Sequence, residues 1–155
     1  MEYLLDKNFV ILSTELTGWW LDCGTFDDLL LVNQKVMKSK FRDLENQNIP
    51  FPHGSEIIVG ENSKIIDSVI KGPVIIGENC LVENSIIEKN TSIKSNSIVI
   101  NSKVKNSILM SNVKIKNLSL ISDSIIGNDC NIESKKSRES FSRLILGNNT
   151  KKILD

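Results

Sequence analysis

The sequence returns an aliphatic residue every five or six positions between Val59 and Ile132. Neither a helix, with its period of about 3.6, nor a strand, with its period of about 2, produces this spacing. A fixed internal period indicates a repeat architecture, in which each unit buries its apolar side against its neighbours. We expect these side chains to point inward: Val59, Ile65, Ile70, Ile76, Val82, Ile87, Ile93, Val99, Val104, Leu109, Ile115, Leu120, Ile126 and Ile132.

A second pattern marks the corners of the repeat. The stretch Val59–Ser63 has counterparts at Ile76–Cys80, Ile93–Ser97, Leu109–Val113 and Ile126–Cys130. Asn, or once Asp, stands three places after each aliphatic residue, and these two residue types tolerate a positive φ. The next side repeats as Asp67-Ser68, Asn84-Ser85 and Asn101-Ser102, with Asn117 in step. Three aliphatic positions in about seventeen residues predict a three-sided coil of short strands joined at corners.

These units resemble the hexapeptide repeat, aliphatic-Gly-x-x-small-x, of the left-handed parallel β-helix. The resemblance implies a mainly β protein, a left-handed parallel β-helix of about five coils stacked at strand spacing. The left hand comes from the resemblance, because the general preference for right-handed parallel crossovers argues the other way. The alternative is a β-rich sandwich with coincidental spacing.

Residues outside the repeat predict a short N-terminal strand and an α-helix. Phe9–Leu12 is the strand candidate, and Thr25 is a good N-cap for a helix over residues 26–38. Residues 39–55 are polar and contain two prolines, which predicts a linker. The β-helix is expected over residues 56–133, followed at 134–155 by a loop and a strand that caps its open end.

The residues before the predicted helix resemble a known family. Gly18–Leu30 reads Gly-Trp-Trp-Leu-Asp-Cys-Gly-Thr-Phe-Asp-Asp-Leu-Leu, with Asn33 after it. It resembles the Gly-Trp-Trp-x-Asp-Thr-Gly-Thr-Pro-Glu-Asp-Leu-Leu-x-Ala-Asn segment of sugar-1-phosphate nucleotidylyltransferases, in particular long-type glucose-1-phosphate thymidylyltransferases. In those proteins the segment closes the catalytic domain and a left-handed β-helix follows. Cys23 and Phe26 depart from the pattern.

The resemblance implies a reaction that joins dTTP and glucose 1-phosphate to give dTDP-glucose and pyrophosphate. The family's phosphate-cradling signature, Gly-x-Gly-Thr-Arg-Leu-x-Pro, appears nowhere in this chain. We therefore expect residues 1–38 to be a remnant of the nucleotidyltransferase domain, comprising strand, metal-Asp turn and helix. No catalytic or nucleotide-binding residue is assigned. The chain is expected to be the C-terminal oligomerisation and regulatory part, inactive alone.

Asp22 is the candidate metal ligand. By resemblance, the Asp of this segment coordinates Mg²⁺ together with an aspartate of the missing domain. Mg²⁺ usually takes one or two carboxylates plus substrate phosphates, so Asp22 alone should bind it poorly. The alternative is a carboxylate in a turn before a helix. Trp19 and Trp20 are expected to pack, with at least one indole left partly uncovered.

Two other functions stay open. Many left-handed β-helix proteins are acyltransferases that use a coil histidine as general base. His53 lies before the first coil, between Pro52 and Gly54, which favours an exposed connector residue. A non-catalytic scaffold for a separate catalytic chain is the other alternative. Ser68, Ser85 and Ser102 are expected to be turn residues rather than nucleophiles.

Charge and cysteine usage limit the partners. Nineteen basic and nineteen acidic residues cancel, which argues against nucleic acid, and no stretch is apolar enough for a membrane span. Lys135, Lys136 and Arg138 are expected to lie in a solvated loop. Cys80 and Cys130 fill the same slot three coils apart, too far for a disulfide. We predict a cytoplasmic homo-oligomer, trimer or dimer, with a separate nucleotidyltransferase domain as a possible partner.

Overall fold

The computed structural model describes residues 3, 6–7, 9–10, 12–47, 56–135, 140–141 and 143–154. Helix α1 spans Phe26–Asn46, and short strands follow it. Their bounds are β1 Ile57–Val59, β2 Lys64–Ile66, β3 Val69–Ile70, β4 Val74–Ile76, β5 Leu81–Glu83, β6 Ile86–Ile87, β7 Thr91–Ile93, β8 Ile98–Ile100, β9 Lys103–Lys105, β10 Ile108–Leu109, β11 Lys114–Lys116, β12 Leu120–Ser122, β13 Ile125–Ile126, β14 Asn131–Ser134, β15 Ser140–Phe141, β16 Ile145–Leu146 and β17 Lys151–Leu154. Within these described ranges, no helix has the length and apolar character needed to cross a membrane.

The strands form a parallel β-solenoid of about five turns. Each turn contributes one strand to each of three sheets, and every pairing is parallel. Sheet A has the order β1-β4-β7-β10-β13-β16, sheet B β2-β5-β8-β11-β14-β17, and sheet C β3-β6-β9-β12-β15. The register confirms the repeat, since Ile57 pairs with Val74 and Val74 with Thr91. The predicted fold class, mainly β with the left-handed β-helix architecture, fits this topology.

The core is a column of aliphatic side chains inside the three sheets. All but one of the fourteen residues predicted to point inward belong to it, with Val59, Ile65 and Ile70 partly buried at its first turn. Leu120 was the wrong choice, because Ile121 pairs with Val104 and is fully buried. The reason is one extra residue in that turn. The Leu118 amide donates to Ser102 Oγ at 3.0 Å, which places Leu118 opposite Ser102, and the inward Ile121 follows three residues later, whereas Val104 follows Ser102 by two.

The corners are built from left-handed Asn and Asp residues, as predicted. The first set has φ between 55° and 61°, and comprises Asn62, Asn79, Asn96, Asn112 and Asp129. The second set, Asp67, Asn84, Asn101 and Asn117, also has positive φ. A third set at the remaining corner, Asn90, Asn106 and Asp123, does the same. At each of these corners the chain turns sharply and enters the next sheet.

Helix α1 is longer than predicted and replaces part of the expected linker. Thr25 caps it: its Oγ1 accepts from the Asp28 amide at 3.2 Å, and Asp28 accepts from the Thr25 amide at 2.9 Å. The helix then continues past Lys38 to Asn46, because Phe41 extends the buried face begun by Leu30 and Met37. The assignment of residues 39–46 to a linker was therefore wrong. Residues 48–55 lie outside the described residues.

Helix α1 lies along the outside of sheet A and runs opposite to the order of the turns. Asn33 Nδ2 donates to the carbonyl oxygen of Asn90 at 3.1 Å, and Ser92 Oγ donates to Asn33 Oδ1 at 2.6 Å. One turn further along the solenoid, Gln34 Nε2 donates to Asn106 Oδ1 at 2.9 Å. The helix has 21 residues, which gives about 31 Å and matches a six-strand sheet of about 24 Å.

The described residues from Phe9 to Thr25 have irregular backbone. The structure places Phe9, Val10 and Leu12 outside any strand, which corrects the predicted N-terminal strand; Ile11 is not among the described residues. A strand forms only where another strand pairs with it, and no described strand of the three sheets pairs with these residues. Residues 12–25 continue as an exposed chain with bends.

The C-terminal residues complete one more turn rather than adding a single strand. β15, β16 and β17 pair with β12, β13 and β14 respectively, so all three sheets are extended. Lys152 takes the inward register position opposite Ile132, and its ammonium lies 5.1 Å from the centre of the Phe141 ring. A cation above an aromatic ring covers the end of the core with a group that water can solvate. Lys136 and Arg138 of the predicted loop lie outside the described residues.

Candidate functional site

The candidate site is the turn Gly18–Thr25, which leads directly into α1. Gly18 has φ of +113°, a conformation that a residue with a side chain rarely adopts. At the other end of the turn, the reciprocal Thr25–Asp28 bonds fix the direction in which the chain enters the helix. Because α1 is anchored on sheet A, the turn is held near the last turns of the solenoid.

Asp22 lies exposed in this turn. Within the described ranges, no group of three or more His, Cys, Asp or Glu side chains is placed to hold a metal ion. A single exposed carboxylate offers Mg²⁺ one ligand, whereas the ion requires octahedral oxygen coordination. The residues described here therefore do not fit a Mg²⁺ site by themselves.

Trp19 and Trp20 are both exposed, and Lys35 Nζ lies 5.8 Å from the centre of the Trp19 ring. Trp19 lies beside the outer face of α1, where Val36 and Leu44 line the same shallow pocket. Monomeric proteins rarely expose two neighbouring tryptophans with this much apolar area to water. Trp19 and Trp20 were predicted to pack, but in the described part of the chain neither indole is buried in a core.

Arg143, from the last turn of the solenoid, reaches the start of α1. Its Nη2 lies 2.8 Å from Asp27 Oδ2, and the two side chains border an open pocket of about 470 Å³ with Cys23, Gly24 and Thr25. This contact was missed by sequence reasoning, since no local pattern links residues 116 positions apart. Both partners are exposed, so the ion pair contributes little stability.

The other candidates are structural or lie outside the described residues. The Ser85 hydroxyl donates a hydrogen bond to the Glu83 carbonyl oxygen at 2.7 Å and accepts one from the Ser102 amide at 3.1 Å. Ser68 and Ser102 make the same two kinds of bond, which identifies them as corner residues. All three cysteines are free, and Cys80 and Cys130 are buried as expected. His53 lies outside the described residues.

Comparison with known proteins agrees with the repeat and with the resemblance to thymidylyltransferases. A family model described as GlmU-like, C-terminal hexapeptide matches residues 90–150. The chain is also 33% identical over 86 residues to a glucose-1-phosphate thymidylyltransferase of Streptomyces antibioticus. That alignment covers 50% of this chain and 22% of the relative, so the matched part spans about a fifth of the relative's length. The chain thus carries a hexapeptide-repeat domain similar to those of nucleotidyltransferases.

Proposed function

We propose that this chain supplies the non-catalytic, β-helical module of a sugar-1-phosphate nucleotidylyltransferase of the glucose-1-phosphate thymidylyltransferase type. The complete enzyme would join dTTP and glucose 1-phosphate to give dTDP-glucose and pyrophosphate. In this proposal the module serves assembly and regulation in the cytoplasm and is inactive alone. The proposal is the same whether the catalytic domain lies on the same polypeptide or on a separate one.

The observation that carries the proposal is the contrast between the buried face of α1 and the exposed chain that enters the helix. One side is buried against sheet A through Leu30, Met37 and Phe41. The chain that enters the helix, in contrast, exposes Leu16, Trp19 and Trp20. More exposed large apolar side chains precede residue 38 than occur in the whole described solenoid. Such a concentration of exposed apolar side chains is characteristic of a protein–protein interface.

The expected inactivity has a physical reason. Nucleotidyl transfer needs groups that position the phosphates and neutralise the charge that develops on them. In this chain, Asp22 is an isolated carboxylate, and the phosphate-cradling glycine-rich signature is missing from the sequence. The exposed turn is thus better suited to complete a site on a catalytic domain than to form one alone.

A binding experiment tests the role of the exposed turn. The partner would be a purified nucleotidyltransferase catalytic domain that carries the glycine-rich signature, and the dissociation constant would be measured by calorimetry. We expect Trp20→Ala to weaken binding at least about tenfold, since buried tryptophans are frequent anchors of interfaces. Ile153→Ala truncates a side chain of the solenoid that is 53% exposed, against 69% for Trp20, and should leave the constant unchanged. Absence of binding by the unaltered chain would refute the proposal.

A further inference from the structure

A cavity of about 290 Å³ lies between helix α1 and sheet A, beside the ends of β4 and β7. Met37 of α1 and Ile93 of β7 are buried and line it with apolar surface, together with the half-buried Ile75 of β4. Concave sites that combine an apolar lining with a few convergent polar groups are where proteins bind small molecules. We call this space the α1 cavity.

Two lysines from different elements line the α1 cavity. Lys40 belongs to the helix, and Lys94 directly follows β7 on the solenoid. Among the described residues that line the cavity, none is acidic. Asp43 shares the pocket beside Trp19 with Lys40 but does not line the α1 cavity. Because a concave site with one sign of charge attracts ligands of the opposite sign, the cavity favours an anion.

The repeat itself does not require a lysine at position 94. In successive turns, the residue that follows the strand of sheet A is Gly60, Gly77, Lys94, Met110, Gly127 and Gly147. Glycine satisfies the fold at four of these six places, and the side chain of Lys94 is exposed. The corner therefore does not need this charge, which stands at the mouth of the cavity.

Three donors of the α1 cavity are not used by the fold. In the described part of the chain, the side chains of Lys40, Lys94 and Ser95 have no hydrogen-bond or ion-pair partner. The polar groups of the adjoining wall are engaged, since Ser92 Oγ donates to Asn33 Oδ1 at 2.6 Å. That bond joins the helix to the sheet beside the cavity. The wall is thus fixed, whereas the three donors are available to a ligand.

This combination of groups matches a phosphate monoester. Such a group carries nearly two negative charges at neutral pH and has three strong acceptor oxygens, and lysine is a frequent phosphate ligand. Lys40 and Lys94 supply two positive charges, and Ser95 supplies a hydroxyl. The volume is at the lower end of the range for small-molecule sites, which suits a ligand no larger than a phosphorylated sugar.

We propose that the α1 cavity binds a small phosphate monoester. The phosphate lies between Lys40, Lys94 and Ser95, and the uncharged part of the ligand lies against Met37 and Ile75. This site goes beyond the proposed function, which assigns no ligand to the module, and it uses only α1 and the solenoid. A ligand that contacts both elements stabilises the folded chain by mass action.

The test is calorimetric titration of the full chain at constant ionic strength with glucose 6-phosphate, inorganic phosphate and glucose. Glucose 6-phosphate is not a substrate of the proposed reaction, so the result does not depend on the nucleotidyltransferase role. We expect it to bind more tightly than inorganic phosphate, because its uncharged part contacts the apolar lining, and we expect no binding of glucose. It should also raise the unfolding temperature of the chain.

Lys40→Met and Lys94→Met keep most of the side-chain length and remove the charge. Each should weaken the binding of glucose 6-phosphate at least about tenfold, since hydrogen bonds to charged groups are the stronger ones. Both side chains are exposed, so the variants should keep the circular dichroism spectrum of the unaltered chain.

The matched control is Lys38→Met. Lys38 is an exposed lysine of the same helix, and it lines a different pocket, with Trp19. This variant should bind glucose 6-phosphate as the unaltered chain does. No binding at about 10 mM ligand, unchanged binding by the double variant Lys40→Met, Lys94→Met, equal weakening by Lys38→Met, or equally tight binding of inorganic phosphate would each overturn the proposal.

Discussion

At the scale of single residues, the corners determine the fold. The left-handed backbone conformation is unfavourable for most residues by about 1–2 kcal/mol, and Asn and Asp are the non-glycine residues that adopt it most readily. Their amides also bond from turn to turn: Asn84 Nδ2 donates to Asn101 Oδ1 at 2.7 Å, and Asn101 Nδ2 donates to Asn117 Oδ1 at 3.0 Å. Asn84 and Asn101 therefore contribute both a backbone conformation and a hydrogen bond to the next turn.

Two substitutions at Asn101 separate these contributions. Asn101→Gly removes the amide bonds but keeps easy access to the observed φ of 48°. Asn101→Ala removes the same bonds and also strains the backbone, so it should be about 1 kcal/mol less stable than the Gly variant. Urea unfolding of the two variants measures the difference. Equal stabilities would contradict the importance of the left-handed corner.

Burial raises the pKa of the Cys80 thiol, against smaller lowering by hydrogen bonds from Ser97 and Ser63. The folded chain therefore holds this proton more tightly than the unfolded chain. The stability that it contributes is complete below the ordinary value of 9.0 and is lost as the pH rises through the folded-state pKa.

Cys80→Ser tests this pH dependence, since Ser63 and Ser97 occupy the same slot in the neighbouring turns. We expect the free energy of unfolding to fall above about pH 9 more steeply in the unaltered chain than in the variant. Thiol labelling of the folded chain should reach Cys23, which is exposed, well before Cys80. If the free energy of unfolding changed with pH in the same way in the two proteins, the raised pKa of Cys80 would be contradicted.

The inward register and two of the three corners could be predicted because they follow strictly local spacing. The third corner was missed although Asn90, Asn106 and Asp123 recur at spacings of 16 and 17 residues, since the residues between them vary more. Leu120 was preferred to Ile121 because neighbouring aliphatic residues cannot be ranked without knowing the width of the corner before them. Only the pairing of Ile121 with Val104 settles that register.

At the scale of elements, α1 belongs to the solenoid. Its buried residues and its hydrogen bonds from Asn33 and Gln34 all face sheet A. The N-cap Thr25 correctly predicted the start of the helix. The end was predicted too early, because the residues after Lys38 are mostly polar and the buried Phe41 among them does not stand out. The outward aliphatic residues Ile75, Ile108 and Ile125 of sheet A are the signal that an element covers this face.

Phe41→Ala tests whether α1 is a structural part of the solenoid. Phe41 is buried, so its truncation should reduce the free energy of unfolding by about 3–5 kcal/mol. Val36→Ala changes an exposed residue of the same helix and should alter it by less than about 1 kcal/mol. Chemical denaturation measures both. Similar, small effects would show that the helix is only loosely attached.

The predicted strand at Phe9–Leu12 illustrates what local sequence leaves undetermined. Aromatic and β-branched residues favour strands, but that preference acts through packing and pairing with neighbours. The described residues of this stretch are exposed and unpaired. The strand can form only where a partner sheet supplies an open edge, and the residues of the stretch do not show whether such an edge is present.

At the scale of the whole molecule, the solenoid is a support that carries one exposed turn. The sequence identified Asp22 and the tryptophan pair in that turn, because the motif is contiguous. It could not identify Arg143, which reaches the same region only after the solenoid has folded. The fold is thus encoded in short repeats, whereas the surroundings of the candidate site depend on distant contacts.

The most direct test of the central claim is pyrophosphate release from dTTP and glucose 1-phosphate in the presence of Mg²⁺. The purified full chain, shown to be folded by circular dichroism, should release none above background, because a lone exposed Asp22 does not assemble a metal and phosphate site. Asp22→Asn should give the same background. Release by the unaltered chain that Asp22→Asn abolishes would contradict the account, since this chain would then hold a complete nucleotidyltransferase site.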